Sequence, residues 1–303
     1  MRQSIYNELS GLIAKERIRL EEPMKNHTTF RIGGPAEAFV MPKEAGEIRD
    51  IIAWCRKREI PYYIVGNGSN LLVSDRGYRG VIIQIFREMN GIKAEGEVIT
   101  AQAGALLSAV AGLALANGLA GFEFAAGIPG TLGGACVMNA GAYGGEIRDV
   151  VTEVTVLTPA GDIRTFLADQ MEFGYRTSMV AKSGGIVLEA RIKLHKGDPD
   201  AIRARMEELR EKRVGRQPLE YPSAGSTFKR PEGYFAGKLI EDAGLRGFTV
   251  GKAQVSEKHC GFVVNKGGAT AADVSELMRR VSAKVEETFG VRLEPEVKRL
   301  GEF

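Results

Sequence analysis

Residues that bind metals or form disulfides are scarce in this sequence. Its 303 residues include three cysteines and three histidines. Cys55, Cys136 and Cys260 are far apart, so none forms a Cys-x-x-Cys pair with metal or redox spacing. No histidine lies at metal-ligand spacing from a carboxylate. The sequence therefore predicts reduced cysteines and no bound metal.

A large excess of one charge is also missing. The 41 basic and 38 acidic residues give a net charge of +3, too little to favour nucleic acid or a membrane surface by bulk electrostatics. The most basic stretch, residues 203–216, interleaves arginines with glutamates, which is typical of a solvated helix face. We expect no nucleic-acid partner, no membrane partner and a monomer.

An export signal and a membrane-spanning run are likewise not evident. The N-terminus carries charged residues through Lys15 and lacks the apolar core of a signal peptide. Residues 98–122 carry no charge, but their glycines, serine and asparagine make the stretch too small and polar for a membrane helix. We expect a buried strand and helix there, in a cytoplasmic protein.

What the chain does contain is ordinary for a globular protein with more than one domain. Hydrophobic residues make up 44% and charged residues 26% of 303 residues. Residues 197–200, Gly-Asp-Pro-Asp, are a boundary signal that can also cap a helix. Periodicity and turn residues predict helices over 43–58, 106–117, the stretch leading to Arg213 and 271–289, and strands over 62–65, 81–86, 98–103, 150–157, 186–194 and 291–299. Residues 159–162 read as a hairpin turn.

A first glycine-rich segment follows the strand at 62–65. Residues 66–70, Gly-Asn-Gly-Ser-Asn, permit positive φ angles that let backbone N–H groups converge on an anion, but they suit a tight turn equally well. A dinucleotide fingerprint would need a helix next, and Leu71-Leu72-Val73 continues instead as a strand. The segment is therefore compatible with a phosphate cradle or a turn, and not with that fingerprint.

A second glycine-rich segment, residues 127–145, has seven glycines, and no charged side chain occurs from Phe124 to Gly145. We expect a long loop without secondary structure of its own, a type that is uncommon inside a domain unless it binds something. Glycines let a backbone approach a large planar or dianionic cofactor closely. The segment therefore favours cofactor binding.

Several motifs together resemble the UDP-N-acetylenolpyruvoylglucosamine reductase family. The cofactor motifs are Gly-Asn-Gly-Ser-Asn-Leu-Leu-Val at 66–73, Gly-Ile-Pro-Gly-Thr-Leu-Gly-Gly at 127–134 and Asn-Ala-Gly-Ala-Tyr-Gly at 139–144. The catalytic segments are Tyr-Arg-Thr-Ser at 175–178, Ser-Ala-Gly-Ser-Thr-Phe-Lys at 223–229 and Leu-Glu-Pro-Glu-Val at 293–297. The resemblance covers nearly the whole chain, and the short stretch 176–185 is similar to the shorter, type II form.

The resemblance implies an α+β fold. A two-lobed FAD-binding domain of the vanillyl-alcohol-oxidase type would span residues 1–197, with its lobes split near residue 80. A smaller α+β substrate-binding domain would span 198–303, and its last strand can return to the first lobe. The implied cofactor residues are Gly66, Asn67, Gly68, Ser69, Asn70, Leu71, Pro129, Gly130, Thr131, Gly133, Gly134, Asn139, Gly141 and Ala142.

The implied activity is NADPH-dependent reduction of an enolpyruvyl ether on a UDP-sugar through noncovalent FAD, a step in peptidoglycan precursor synthesis. The resemblance gives Arg176 an electrostatic role, makes Glu296 a polarising carboxylate and makes Ser226 the proton donor. Tyr175, Arg213, Arg216 and Lys229 are the candidate substrate contacts. Two alternatives stay open: a related flavin oxidase acting on a sugar or lactone, and a flavin- or nucleotide-binding regulator on the same scaffold.

Overall fold

The computed structural model describes residues 2–303 and mixes helices with strands along the whole chain. The helices are α1 Arg2–Leu9, α2 Ala45–Lys57, α3 Leu107–Ala116, α4 Leu132–Met138, α5 Met179–Ser183, α6 Pro199–Arg216, α7 Ala236–Asp242 and α8 Ala271–Phe289. The strands are β1 Ile18–Pro23, β2 Pro35–Val40, β3 Tyr62–Val65, β4 Leu71–Val73, β5 Tyr78–Gln84, β6 Ile92–Glu95, β7 Val98–Gln102, β8 Leu119–Ala120, β9 Gly141–Ala142, β10 Gly145–Glu146, β11 Val151–Leu157, β12 Ile163–Leu167, β13 Ile186–Lys193, β14 His195–Lys196, β15 Ser223–Ser226, β16 Thr249–Val250, β17 Ala253–Val255, β18 Phe262–Asn265 and β19 Lys298–Leu300.

Periodicity predicted the longer elements within a few residues. The predicted helices correspond to α2, α3, α6 and α8, and the turn at 159–162 joins the antiparallel strands β11 and β12. The predicted strand at 291–299 is wrong in extent, because only β19 at its end is a strand. Residues 294–296 are held instead by an isolated bridge between Phe228 and Pro295 and by its flanking backbone hydrogen bonds.

The chain divides into two compact units. The first comprises residues 2–19, 39–67 and 81–213, and the second comprises 20–38, 68–80 and 214–303. This division differs from the predicted boundary at 197/198, because each unit consists of three separate segments of the chain. The domain assignment therefore stays a prediction.

The first unit is built on an antiparallel sheet of five strands in the order β12-β11-β13-β7-β6. Its central strands bury alternate side chains such as Ile99, Val154 and Ile192, as expected for a sheet with one face against the core. In the same unit, β3 pairs in parallel with residues 81–84 of β5.

The second unit combines the antiparallel sheet β15-β18-β17-β16 with α7, α8 and the parallel pair β4–β19. Its apolar core includes Phe30, Leu72 and the buried face of α8. The N-terminus of α8 is capped by the Thr270 side chain in a capping box with Asp273, and Gly290 ends it in the left-handed conformation.

Among residues 2–303, no helix is both long enough and apolar enough to cross a bilayer. Residues 98–122, which carry no charge, form β7, α3 and β8, as predicted.

Candidate functional site

The start of the first glycine-rich segment packs against the second one within the first unit. The Asn67 side-chain amide donates a hydrogen bond of 2.8 Å to the carbonyl oxygen of Pro129. A Cβ atom added to Gly66 would overlap the Thr131 hydroxyl. Two segments more than sixty residues apart in sequence are therefore in direct contact, and a side chain at position 66 would crowd Thr131.

The rest of the first segment belongs to the second unit and is held from behind by residues 27–29. Gly68 has a φ of +62°, and a Cβ there would overlap the carbonyl oxygen of His27. The Thr29 N–H donates to the Gly68 carbonyl at 3.3 Å. The sequence patterns did not predict this supporting turn. The local feature that could have indicated a turn is the polar pair Thr28-Thr29 before Gly33-Gly34.

The backbone of residues 66–70 has N–H groups that are not used within the chain. Within residues 2–303, none of the N–H groups of residues 66–70 donates a hydrogen bond to the chain. Free backbone N–H groups in successive residues form an anion-binding array. These donors are therefore available to an anionic ligand such as a phosphate group, and the phosphate cradle at residues 66–70 stays a prediction.

The second segment is not the structureless loop that its composition predicted. It contains α4 and the short hairpin of β9 and β10. Thr131 caps α4 through its side chain, and Leu132, Ala135 and Cys136 are buried. A helix forms here because its apolar face packs in the core. Helix propensity did not predict it, because the glycines at 133 and 134 are poor helix formers.

The structure separates the glycines of this segment by their surroundings. A Cβ at Gly133 would lie 2.8 Å from the Ala103 Cβ, and one at Gly141 would lie 2.7 Å from the Gly145 carbonyl oxygen. Gly134 is exposed, and a Cβ there would meet only the Thr131 hydroxyl at 3.6 Å. Gly133 and Gly141 are thus required by internal packing, whereas the surface of Gly134 is open to a ligand.

Asn139 is buried, and its side chain serves the chain itself. It has a φ of +45° at the end of α4. Its amide donates to Glu146 Oε2 at 2.9 Å and to the Gly174 carbonyl at 3.1 Å, and its Oδ1 accepts the Arg148 N–H at 3.0 Å. These bonds connect the glycine-rich segment to the turn that carries Tyr175 and Arg176.

Arg176 lies in that turn, in the first unit. An isolated bridge pairs Gly174 with Thr177, and Arg176 adopts a φ of +55° between them. Its guanidinium lies 5.2 Å from the centre of the Tyr175 ring, and Tyr175 is 51% exposed. Ser178, which caps α5, donates from its hydroxyl to the Val137 carbonyl at 2.7 Å. The turn is therefore fixed at both ends to residues of or next to α4.

Ser226 and Glu296 are brought together within the second unit. Ser226 is exposed at the end of β15. The N–H of Glu296 donates to the carbonyl of Thr227 at 2.9 Å, and the Lys229 N–H donates to the Glu294 carbonyl at 2.8 Å. The serine and the glutamate, seventy residues apart in sequence, are thus neighbours across a short antiparallel contact.

The same contact extends to the first glycine-rich segment. Asn70 donates from its side chain to the Glu296 carbonyl at 3.1 Å, and its own carbonyl accepts the Lys298 N–H at 3.0 Å. Leu71 continues from Asn70 into β4, which pairs in parallel with β19. The carboxylate-bearing residue and the free donors of residues 68–70 therefore share one framework.

The candidate substrate cations differ in their surroundings. Arg213 is half-buried, and a Cβ added to Gly127 would lie 3.1 Å from its Cδ. Burial lowers the pKa of Arg213, and nearby Tyr143 acts in the opposite direction. Arg216 is exposed at the end of α6, and Lys229 forms an ion pair of 3.0 Å with Glu294. Arg213 and Lys229 are thus both partly withdrawn from water, whereas Arg216 is exposed.

The surroundings of Cys136 and His259 bear on whether a flavin could be attached covalently. Cys136 is fully buried in α4, and burial raises the pKa of its thiol to about 12, so it is a poor source of thiolate. Burial also lowers the pKa of His259, whose Nδ1 accepts the Gly261 N–H at 3.0 Å. Across residues 2–303, no group of three or more His, Cys, Asp and Glu side chains is placed to hold a metal.

The comparisons with known proteins match both parts of the chain. Residues 36–167 match the family model described as FAD binding domain, and residues 217–300 match the one described as UDP-N-acetylenolpyruvoylglucosamine reductase, C-terminal domain. These matches confirm the predicted fold class, an α+β chain with an FAD-binding domain followed by a smaller domain.

Full-length relatives carry the same name. The UDP-N-acetylenolpyruvoylglucosamine reductase of Agathobacter rectalis is 53% identical, with 100% of each chain covered. That of Clostridioides difficile is 50% identical, with 99% of each covered. The crystal structure of the Thermus caldophilus enzyme superposes with a TM-score of 0.80 at 38% identity, covering 94% of this chain and 98% of that one. The chain therefore belongs to the UDP-N-acetylenolpyruvoylglucosamine reductase family.

Proposed function

We propose that this protein reduces UDP-N-acetyl-3-O-(1-carboxyvinyl)-glucosamine to UDP-N-acetylmuramate, with NADPH as the hydride donor and noncovalent FAD as the cofactor. The family membership supports the reaction. The observation that carries the proposal is that the backbone N–H groups of residues 66–70 donate no hydrogen bond to the chain. The last of these residues, Asn70, is hydrogen-bonded to Glu296, which in turn is bonded to Thr227, the residue after Ser226. The product is a peptidoglycan precursor.

The backbone N–H groups of residues 66–70 would hold the FAD diphosphate, with Leu71 at the end of the cradle. The segment with Pro129, Gly130, Thr131 and Gly134 would line the cofactor, and Ala142, half-buried in β9, would extend that lining. Gly133, Asn139 and Gly141 keep the lining in place by their packing and hydrogen bonds. When bound there, FAD would supply the hydride transfer from NADPH to the methylene carbon of the enolpyruvyl group.

Ser226 supplies the proton that completes the reduction. Hydride addition to the methylene carbon leaves the electron pair of the double bond on the adjacent carbon, delocalised into the carboxylate. Protonation of that carbon by the Ser226 hydroxyl gives the saturated lactyl ether. A serine is a weak acid, but an enolate is a strong base, so placement matters more than a matched pKa. Ser226 has the exposure that a substrate contact requires.

Arg176 and Glu296 act on the charge that develops at the carboxylate. A guanidinium held in a fixed turn stabilises an enolate without reorganising at the moment of reaction. The backbone of Glu296 is fixed at both its N–H and its carbonyl, which keeps this residue beside the Ser226 strand. We assign these three side chains to catalysis.

The diphosphate of the substrate requires cations. We assign Arg213, Arg216 and Lys229 to this role, with Tyr175 as a further contact, because planar guanidinium groups and lysine both bind phosphate oxygens well. We further propose that the protein is cytoplasmic, since a nucleotide sugar and NADPH are cytoplasmic reactants. We also propose that it is a monomer with domains at 1–197 and 198–303.

The experiment that tests this function is anaerobic reoxidation of the NADPH-reduced protein by the enolpyruvyl UDP-sugar, followed by flavin absorbance. We expect full reoxidation and stoichiometric UDP-N-acetylmuramate. Rapid oxygen consumption with no response to the UDP-sugar would instead show a flavin oxidase. Flavin binding without any turnover would show a regulator.

A further inference from the structure

One threonine of the second unit is bonded to two segments on which the proposed mechanism depends. The Thr29 N–H donates to the Gly68 carbonyl at 3.3 Å, and Gly68 begins residues 68–70, part of the proposed phosphate cradle. The Thr29 hydroxyl donates to the Ser223 carbonyl at 2.7 Å, and Ser223 begins β15, the strand that ends at Ser226. A single residue therefore bonds both the proposed cradle and the strand of the proposed proton donor.

The strand that carries Ser226 is irregular where it approaches that residue. β15 lies at the edge of its sheet and pairs with β18. The register of this pairing shifts between Ser223 and Ser226, and Gly225 between them has a φ of +77°. A bulge of this kind disrupts the hydrogen-bond ladder locally. The bond from Thr29 to Ser223 is therefore a further attachment at the start of the irregular stretch.

The loop that carries Thr29 is anchored independently of the Thr29 hydroxyl. Phe30 is fully buried in the apolar core of the second unit, and its carbonyl accepts the Asn265 side-chain amide at 3.1 Å. Thr28, on the other side, is also buried, and its hydroxyl donates to the Ile32 carbonyl at 3.1 Å. Loss of the Thr29 hydroxyl should therefore loosen β15 without unfolding the loop.

A proton donor is effective only when its distance to the reacting carbon is fixed. A displacement of about 1 Å can cost on the order of a hundredfold in rate. We propose that Thr29 is a positioning residue, whose hydroxyl holds the Ser226 strand in place relative to residues 68–70 and so directs the Ser226 hydroxyl at the carbon that it protonates. This inference rests on the proposed function, and it assigns to Thr29 no contact with the substrate or with FAD.

The test uses substitutions that remove a hydroxyl and keep the shape of the side chain. Thr29→Val removes the bond to Ser223. We expect it to slow product formation by the reduced enzyme about tenfold to a hundredfold, with the KM for the UDP-sugar, the FAD affinity and flavin reduction by NADPH unchanged. Thr29→Ser, which keeps the hydroxyl, should restore the rate. Thr288→Val is the matched control, because the Thr288 hydroxyl also donates to a backbone carbonyl at 2.7 Å, within α8, and it should behave as the parent.

Two further measurements separate positioning from a general loss of structure. In the apoprotein, hydrogen exchange of the β15 amides should be about twofold to tenfold faster in Thr29→Val than in the parent, the effect of one lost hydrogen bond on local opening. Exchange across α8 should be unchanged. In a Ser226→Ala background, Thr29→Val should add less than about a twofold loss, because the effects of two residues that act through one group are not additive.

Several results would overturn the positioning role of Thr29. These are parent-like product formation or parent-like β15 exchange in Thr29→Val, additive losses with Ser226→Ala, and failure of Thr29→Ser to restore the rate. A Thr29→Val protein that does not fold or does not bind FAD would also overturn it, since the hydroxyl would then serve the fold or the cofactor. A parent protein that the UDP-sugar fails to reoxidise overturns the proposed function instead, and exchange in the apoprotein still shows whether Thr29 holds β15.

Discussion

Ser226 stands at the end of β15 with its side chain in solvent, and its hydroxyl is the proton source that we assign to the second half-reaction. Ser226→Ala should leave reduction by NADPH nearly untouched, because that half-reaction needs no proton at the sugar. Completion of the second half should slow by about 10²- to 10⁴-fold, the usual contribution of a positioned acid. Stopped-flow absorbance and product quenching separate hydride transfer from protonation.

Ser223 provides the control for this substitution, since it lies at the other end of the same short strand. Ser223→Ala should retain turnover. Intact turnover in Ser226→Ala, or equal damage to both half-reactions, would remove Ser226 from its assigned role.

Glu296 can be tested by a change that keeps its shape. Glu296→Gln removes the carboxylate charge but leaves the backbone bonds to Thr227 and Asn70 possible, so FAD content should be preserved. We expect reoxidation by the UDP-sugar to slow by at least about tenfold, within the range of acid–base and electrostatic contributions. Glu287→Gln, on the exposed face of α8 and away from the assigned site residues, is the matched control and should behave as the parent. A parent-like rate in Glu296→Gln would exclude its carboxylate from the mechanism.

At the scale of single elements, two adjacent glycines of α4 have different surroundings. Gly134 lies on the surface that we assign to the cofactor, and Gly133 lies against Ala103. Gly134→Leu should lower the ratio of FAD to protein, because the new side chain would occupy the open surface, while the free energy of unfolding of the apoprotein should change by less than about 1 kcal/mol. Gly133→Leu should instead destabilise the fold, because its Cβ would press on Ala103. FAD absorbance and urea unfolding measure the two effects. A parent-like FAD ratio in Gly134→Leu would place the cofactor elsewhere.

The N-terminus of α8 receives a second cap from a residue distant in sequence. Asp75 accepts the N–H groups of Ala271 and Ala272 at 2.8 and 3.0 Å, besides the capping box of Thr270. Asp75→Ala should lower the free energy of unfolding by about 1 to 2 kcal/mol, as for other helix caps. Asp242→Ala, which removes an exposed pair with Lys238, should cost less than about 0.5 kcal/mol. Urea denaturation measures the free energy of unfolding of both variants. Equal decreases in the two variants would show that the Asp75 cap stabilises the fold no more than an exposed ion pair does.

At the scale of the whole molecule, the prediction concerns the attachment and the stabilising effect of FAD. The proposed cradle offers backbone donors and polar groups, so denaturation should release all flavin into the supernatant. A ligand that binds only the folded state raises its stability by RT ln(1 + [L]/Kd), about 2.7 kcal/mol at a hundredfold excess over Kd. The Tm of the apoprotein should therefore rise with added FAD. Flavin that stays with the precipitated chain would contradict noncovalent binding.

The sequence predicted much of the element content and the family. Apolar residues at helical spacing fixed the bounds of α8 from Ala271 to Phe289, because one face of that helix is buried along its length. Periodicity did not reveal α4, since its seven residues are too short and too rich in glycine for a periodic signal. The 291–299 segment looked like a strand because its residues suit extended backbone, yet most of it is held by isolated contacts.

For the candidate site, the motifs determined which residue types were available, and the tertiary structure decided what each one faces. Composition alone could not distinguish Gly133, where a side chain would press on Ala103, from its exposed neighbour Gly134. Nor could it place Glu296 beside the Ser226 strand, or His27 behind Gly68. Local sequence determines the conformations that a segment can adopt, whereas these contacts join residues tens to hundreds of positions apart and form only when the apolar cores bring their segments together.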